Sequence, residues 1–166
     1  LSIMYHRFNE HKYPSTNIQM DIFKQQINII ENHKINFLHP KNLNEEILKP
    51  NEVKKILLTI DDGFQSFYDN AWPILKKKNI PFILFISTEY VGKNGYMNWE
   101  QIKEIEKSGL GIIGNHSHTH EYLVDKTNNQ IINDLNKAIA LFEKELGHSP
   151  IYFSYPFGEY SNDFKK

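Results

Sequence analysis

An α/β fold around a parallel sheet or barrel is what this sequence predicts, on three observations. Short apolar runs alternate with longer segments of helical periodicity. One run, Pro81 to Ser87, is almost continuously apolar, as a strand covered on both faces must be. The polar clusters follow directly on the apolar runs, at His6, Asp61-Asp62, His116 to His120 and Pro156. In parallel α/β folds the C-terminal strand ends share one rim, where active sites are built, so these clusters should converge. A length of 166 residues suits one domain, 1–166, with room for a real core.

Leu1 to His6 reads as a buried strand ending at His6. Met20, Phe23, Ile27 and Ile30 recur at helical spacing and predict a helix from Ile18 to His33. His39 to Asn51 contains Pro40 and Pro50 and reads mostly as loop, with room for one short helical turn. Lys55 to Ile60 is a strand stopped by Asp61-Asp62-Gly63. A helix from Ser66 to Lys78 follows, in which Pro73 marks a kink or a later start. After the strand at Pro81 to Ser87 comes a loop with Gly92 and Gly95. Trp99 to Lys107 is a helix ended by Ser108-Gly109, and Leu110 to Gly114 is a short strand ending at Asn115-His116. Leu135, Ala138, Ile139, Phe142 and Leu146 form the stripe of a long helix closed by Gly147. Ile151 to Ser154 is the last strand and runs into Tyr155-Pro156-Phe157-Gly158.

Composition removes several function classes. Hydrophobic residues at 40% and charged residues at 23% argue against disorder. The 19 basic and 20 acidic residues leave a net charge of −1, with no electrostatic footprint for nucleic acid or an anionic membrane. No apolar run approaches the ~20 residues of a membrane span. Cysteine is absent, which excludes disulfides, thiolate metal sites and cysteine nucleophiles. The chain opens at Leu1 without methionine and reads as an excised or mature segment. Arg7 is its one arginine, so a bidentate guanidinium can come from nowhere else.

Two clusters can carry metal chemistry. Adjacent carboxylates at Asp61 and Asp62 repel unless a cation or shared proton intervenes, which suggests one metal ligand and one general base. A plain polar turn is the competing reading, since Asp-Gly is a common turn dipeptide. Asn115-His116-Ser117-His118-Thr119-His120 places three histidines just after an apolar strand. Two imidazoles and one carboxylate leave zinc an open position for water. Spacing alone allows either His116 with His120 or His116 with His118. His6 gains interest only from its place on the rim. Nearby aromatics, Tyr5, Phe8, Phe64, Trp99, Tyr122, Tyr155, Phe157 and Tyr160, could line a carbohydrate groove, or simply pack.

Thr59-Ile60-Asp61-Asp62-Gly63, His116-Ser117-His118-Thr119-His120 and Tyr155-Pro156-Phe157-Gly158 together resemble the ordered motifs of the polysaccharide deacetylases with a NodB-homology domain. Ala71 to Leu75, Ile80-Pro81-Phe82 and Asn98 to Ile102 resemble the intervening family segments, so the likeness runs from Lys54 to Tyr160. Met4-Tyr5-His6-Arg7-Phe8 resembles the branch that deacetylates poly-N-acetylglucosamine exopolysaccharide. The resemblance implies a distorted parallel (β/α) barrel of the NodB type, incomplete at the C-terminus. It implies a hydrolase that removes N-acetyl groups from an N-acetylglucosamine-containing glycan by attack of a metal-bound water. Asp62, His116 and His120 would hold the divalent metal, usually zinc, and His118 would face away. Asp61 would be the base, His6 the acid toward the leaving amine, and Phe157 N–H the oxyanion donor, within a substrate-binding segment of Tyr155, Pro156 and Phe157. Cell-wall, exopolysaccharide and chitin substrates all stay open, and the implied location is extracytoplasmic in a bacterium.

Two departures stand out. Most of the family has an arginine two residues before the motif proline; here that residue is Ser154, and the exopolysaccharide branch also tends to lack that arginine. The chain also stops at Lys166, before the later motifs. Two other readings compete: a catalytically silent carbohydrate-binding relative, and a His-x-His-x-His metallohydrolase of the metallo-β-lactamase kind. The latter wants aspartate where Thr119 stands.

Overall fold

The computed structural model describes residues 1–48 and 54–160. Its strands are β1 (Ser2–Tyr5), β2 (Arg7–Phe8), β3 (Asn17–Ile18), β4 (Asn36–Phe37), β5 (Lys55–Ile60), β6 (Phe82–Ile86) and β7 (Gly111–Asn115). Its helices are α1 (Met20–Asn32), α2 (Leu43–Leu48), α3 (Trp72–Lys78), α4 (Trp99–Lys107) and α5 (Asn128–Leu146). The main sheet runs β1-β5-β6-β7, with β4 beside the first residues of β5, and every pair in it is parallel. The β2–β3 ladder is separate.

Register puts the strand ends on one rim. Tyr5 faces Ile60, Ile60 faces Leu84, and Ile86 faces Asn115. The next residues, His6, Asp61, Ser87 and His116, therefore emerge together. All five residues of β6 are buried, which is why its sequence is continuously apolar. Gly114 lets β7 close on β6, since an added Cβ there would lie 2.5 Å from the Phe85 ring.

Helix ends follow local chemistry. Asn98 with Gln101 and Thr127 with Gln130 form capping boxes on α4 and α5. Gly147 takes the left-handed conformation that ends α5. Pro73 sits in the first turn of α3, where its missing N–H costs least, and the residues before it, Phe67–Ala71, form a π-helical turn. The expected helix from Ser66 to Lys78 is thus two segments.

Three further expectations are corrected. The first strand is mostly exposed rather than buried: Met4 is 57% exposed and only Tyr5 is buried, because β1 pairs only with β5 among the described residues. Ile151 to Ser154 is no strand but a single bridge, in which Phe153 faces Asn115. Asn115 donates to Tyr152 O and accepts from Ser154 N, and Ile151 before them is exposed. The region read as loop holds α2, while β4 was not foreseen; residues 49–51 of that region lie outside the described residues.

Candidate active site

β5 delivers the two carboxylates. Asp61 N–H donates to Tyr5 O across the sheet at 2.9 Å, and the chain then turns through Asp62 and Gly63, both left-handed at φ 75°. Glycine is required at the second place: it has the positive φ, and a Cβ there would meet Ile86 Cγ2 at 3.1 Å. The turn sends Asp62 toward the loop after β7.

That loop is tightly held. His116 N–H donates to Ile86 O at 3.0 Å, and Ser87 Oγ–H donates to His116 O at 2.8 Å. Ser117 and His120 both have left-handed backbones, and Ser117 Oγ accepts the His120 N–H at 2.9 Å. Asp134 of α5, itself buried, accepts from His118 N–H at 2.7 Å, Thr119 N–H at 3.0 Å and Thr119 Oγ–H at 2.6 Å. Among the described non-glycine residues with positive φ, Asp62, Ser117, His120 and Phe157 all stand here, and such strain clusters at functional sites.

One oxygen of Asp62 and two imidazole nitrogens converge. Asp62 Oδ1 is 3.5 Å from His116 Nε2 and 3.1 Å from His120 Nε2, and the three ligand atoms lie within 4.8 Å of one another. His116 Nδ1 lies 2.8 Å from Ser154 O. A carbonyl can only accept, so Nδ1 carries the proton and Nε2 points its lone pair at Asp62. His118 turns elsewhere, its Nδ1 2.9 Å from Thr88 Oγ1. Asp61 keeps a buried Oδ1 with no hydrogen-bond partner, and the buried Oδ1 of Asp62 faces only the two imidazole nitrogens. Facing acceptors of this kind are stable when a cation lies among them. A carboxylate and two imidazoles in this arrangement fit a divalent ion such as zinc.

Electrostatics separates the two carboxyls. Burial, then the neighbouring Asp62 charge, pushes Asp61 up to about 7. Burial also pushes Asp62 up, but the hydrogen bond and charge of His120, with His116 and His6, outweigh it and leave Asp62 below the usual range. Burial lowers His116 to about 4, which keeps it in the neutral form a metal ligand needs. Burial likewise lowers His6, against the Asp62 charge. For His120, burial opposes the charge, but the Asp62 hydrogen bond and charge win and the net shift is upward.

The four sequence clusters do meet. A cavity of about 330 Å³ is lined by His6, Asp61, Asp62, His116, His120 and, from the last segment, Ser154, Tyr155, Phe157 and Gly158. Phe157 is exposed, with its ring 4.9 Å from the His120 ring, while Pro156 is buried. Sequence reasoning missed two supports. Ser154, noted only as a missing arginine, donates Oγ–H to Asp61 Oδ2 at 3.3 Å and also fixes the His116 tautomer. Asp134 left a legible signal: it is a carboxylate on the buried stripe Ile131, Asp134, Ala138, Phe142 of α5. Arg7 does not reach Asp61 in the missing arginine's place; it pairs with Glu10 at 2.9 Å.

The chain is 31% identical over 155 residues to the poly-beta-1,6-N-acetyl-D-glucosamine N-deacetylase of Staphylococcus aureus, covering 85% of this chain and 53% of that protein. It spans about half the length of the curated relatives it matches. The solved structure of IcaB from Ammonifex degensii superposes with a TM-score of 0.87 at 29% identity, over 99% of this chain and 77% of that one. The Streptococcus pyogenes deacetylase PplD, solved with acetate, shares the fold at a TM-score of 0.85 and 23% identity, over 99% of this chain and 76% of that one. The model of the polysaccharide deacetylase family matches residues 48–166, and the chain belongs to that family.

Proposed function

We propose that this chain carries the catalytic centre of a metal-dependent N-deacetylase acting on a polymer of N-acetylglucosamine, with the β-1,6-linked polymer named for its relatives as the first candidate. The convergence of Asp62, His116 and His120, with the free Oδ1 of Asp61 beside them, carries the reading. These three residues would hold a divalent ion, most simply zinc, which when bound supplies a Lewis acid toward an amide carbonyl and acidifies water. Asp61 takes the proton of the attacking water on Oδ1 while Ser154 steadies its Oδ2. A buried carboxylate held in this way is placed for that exchange. His6, lining the same cavity, donates a proton to the departing nitrogen, which as an amide anion would leave poorly. The Phe157 N–H serves the developing oxyanion, and Tyr155 and Phe157, with the buried Pro156 between them, wall the acetamide end of the site. A polymer of this kind lies outside the cell, so we place the protein there; no helix among the described residues is long and apolar enough to cross a membrane.

The test is acetate release from β-1,6-linked N-acetylglucosamine polymer, peptidoglycan and chitin oligomers, with chelator and after zinc is restored. Release that chelator stops and zinc restores is expected on at least one. Binding without release on all three would favour the silent carbohydrate-binding relative. Release indifferent to chelator would remove the metal from the reading.

A further inference from the structure

His6 lies between β1 and β2, partly buried, and its side chain makes no hydrogen bond to another described residue. Its place on the rim is therefore set by the backbone on either side. Before it, Tyr5 O accepts the Asp61 N–H and ties β1 to β5. After it, Arg7 N–H donates to Thr16 O at 3.0 Å and Asn9 N–H to Ile18 O at 2.8 Å, along the β2–β3 ladder. Phe8, between those two donors, turns its own N–H and C=O the other way, and it is fully buried, so both need a partner within the protein. The π-helical turn and the serine before it supply both. Ser66 Oγ accepts the Phe8 N–H at 3.2 Å, and Asn70 Nδ2 donates to Phe8 O at 3.2 Å and to Ser66 O at 3.0 Å. Two side chains thus do for β2 what the backbone of a neighbouring strand would do.

The local backbone is shaped for this contact. Trp72 N–H bonds to Phe67 O, the five-residue step of a π turn, and single turns of this kind occur frequently at functional sites. Core packing is satisfied without the two polar side chains: the Phe8 ring lies 5.8 Å from Tyr5, 5.2 Å from Phe23 and 5.7 Å from Phe67. Neither Ser66 nor Asn70 lines the cavity that holds His6 and the candidate ligands, so any effect they have on the reaction passes through Phe8. We propose that Asn70, together with Ser66, is a positioning residue for proton transfer: by clamping the Phe8 backbone it fixes where His6 stands against the departing nitrogen. The inference rests on the deacetylase reading. Transfer of a proton is sensitive to placement, and an error of about 1 Å can cost roughly 10²-fold in rate. Releasing Phe8 frees His6 on one side and leaves the bonds that brace His116 and His120 in place.

The experiment compares two substrates that need the proton to different degrees. One is a β-1,6-linked N-acetylglucosamine oligomer, whose departing nitrogen must be protonated; the other is para-nitrophenyl acetate, whose phenolate leaves unaided. His6→Ala sets the benchmark, with a larger loss expected on the amide than on the ester. Asn70→Ala should show the same selectivity: kcat on the oligomer falls by about 10- to 10²-fold while KM, zinc content and the ester rate stay near wild type. Ser66→Ala should lose the amide rate selectively but by less, and Ser66→Thr, which keeps the hydroxyl, should restore it. If Asn70→Ala proves misfolded by circular dichroism, the two Ser66 variants decide the matter. Equal losses on both substrates, or loss of zinc, would make the clamp a matter of general stability and overturn the inference, with the deacetylase reading left standing. An unselective loss in His6→Ala removes the acid role of His6 and the clamp with it. Ester hydrolysis without acetate release from the oligomer by the wild-type protein sinks the deacetylase reading itself, and this inference falls with it.

Discussion

Asp62, His116 and His120 follow the ends of β5 and β7, which flank the fully buried β6, whereas His6 follows the largely exposed β1 and Arg7 lies in a two-residue ladder. The first side is cross-braced by Asp134, Ser117, Ser87 and Ser154. The second depends on aromatic packing around Arg7 and on short β pairing. The difference matches two demands. On the proposed function, metal ligation tolerates little error in distance or direction, and the donors it would use are fixed by buried hydrogen bonds. On that proposed function, proton donation and glycan contact happen only with substrate present, and a more exposed wall can adjust to it.

If the two sides are independent, changes on one should spare the other. His116→Ala should abolish stoichiometric zinc in the purified protein, measured by atomic emission, and His120→Ala should do nearly the same. His118→Ala should keep the metal; the reverse pattern would overturn the ligand assignment. Asp61→Asn keeps the shape but cannot accept the water proton. Its rate should fall by about 10²–10⁴ with zinc still bound. Zinc lost along with the rate would make Asp61 a ligand.

His6→Ala probes the other side. Turnover should fall by roughly 10² or more, while zinc content and melting temperature stay near wild type. Near-normal turnover would remove His6 from the reaction. Asp134→Ala attacks the bracing without touching a ligand. It strands the His118 and Thr119 N–H groups, at a cost of about 1–3 kcal/mol each if they stay unpaired. Zinc affinity should drop by roughly 10–100-fold, as the loss of an orienting partner typically costs. A chelator competition showing unchanged affinity would mean that the loop holds its shape without α5.

What was legible follows from the same contrast. The bounds of β5 and the buried character of β6 could be read because long apolar runs have few alternatives. Asp61, Asp62 and the histidine run stood out because they sit where such runs stop. Spacing could not choose between His118 and His120. The left-handed backbones at Ser117 and His120 turn the loop, and nothing in the side chains of serine or histidine announces that conformation. Two-residue strands such as β4 are too short to leave a period. The Ile151 to Ser154 segment looked like a strand because the composition of a bridge and of a strand is the same; only the number of paired residues differs.

The smallest effect lies far from both sides of the rim. His148 follows the C-terminus of α5, with Nδ1 3.0 Å from Ser149 O and Nε2 2.8 Å from Glu106 Oε1. The backbone hydrogen bond to Ser149 and then the Glu106 hydrogen bond raise its pKa above 6.5. A histidine raised on folding contributes stability that is complete below its unfolded pKa and is lost as pH climbs through the folded value. The side chain is 49% exposed, so screening holds the contribution within about 0–1 kcal/mol. His148→Ala should therefore lower the melting temperature slightly at pH 5.5 and leave it unchanged at pH 9, with zinc content and turnover unaffected at either. Raising the salt should shrink the acid-side difference further. A loss of equal size at both pH values would instead assign the contact to packing against α4, with the charge on His148 contributing nothing.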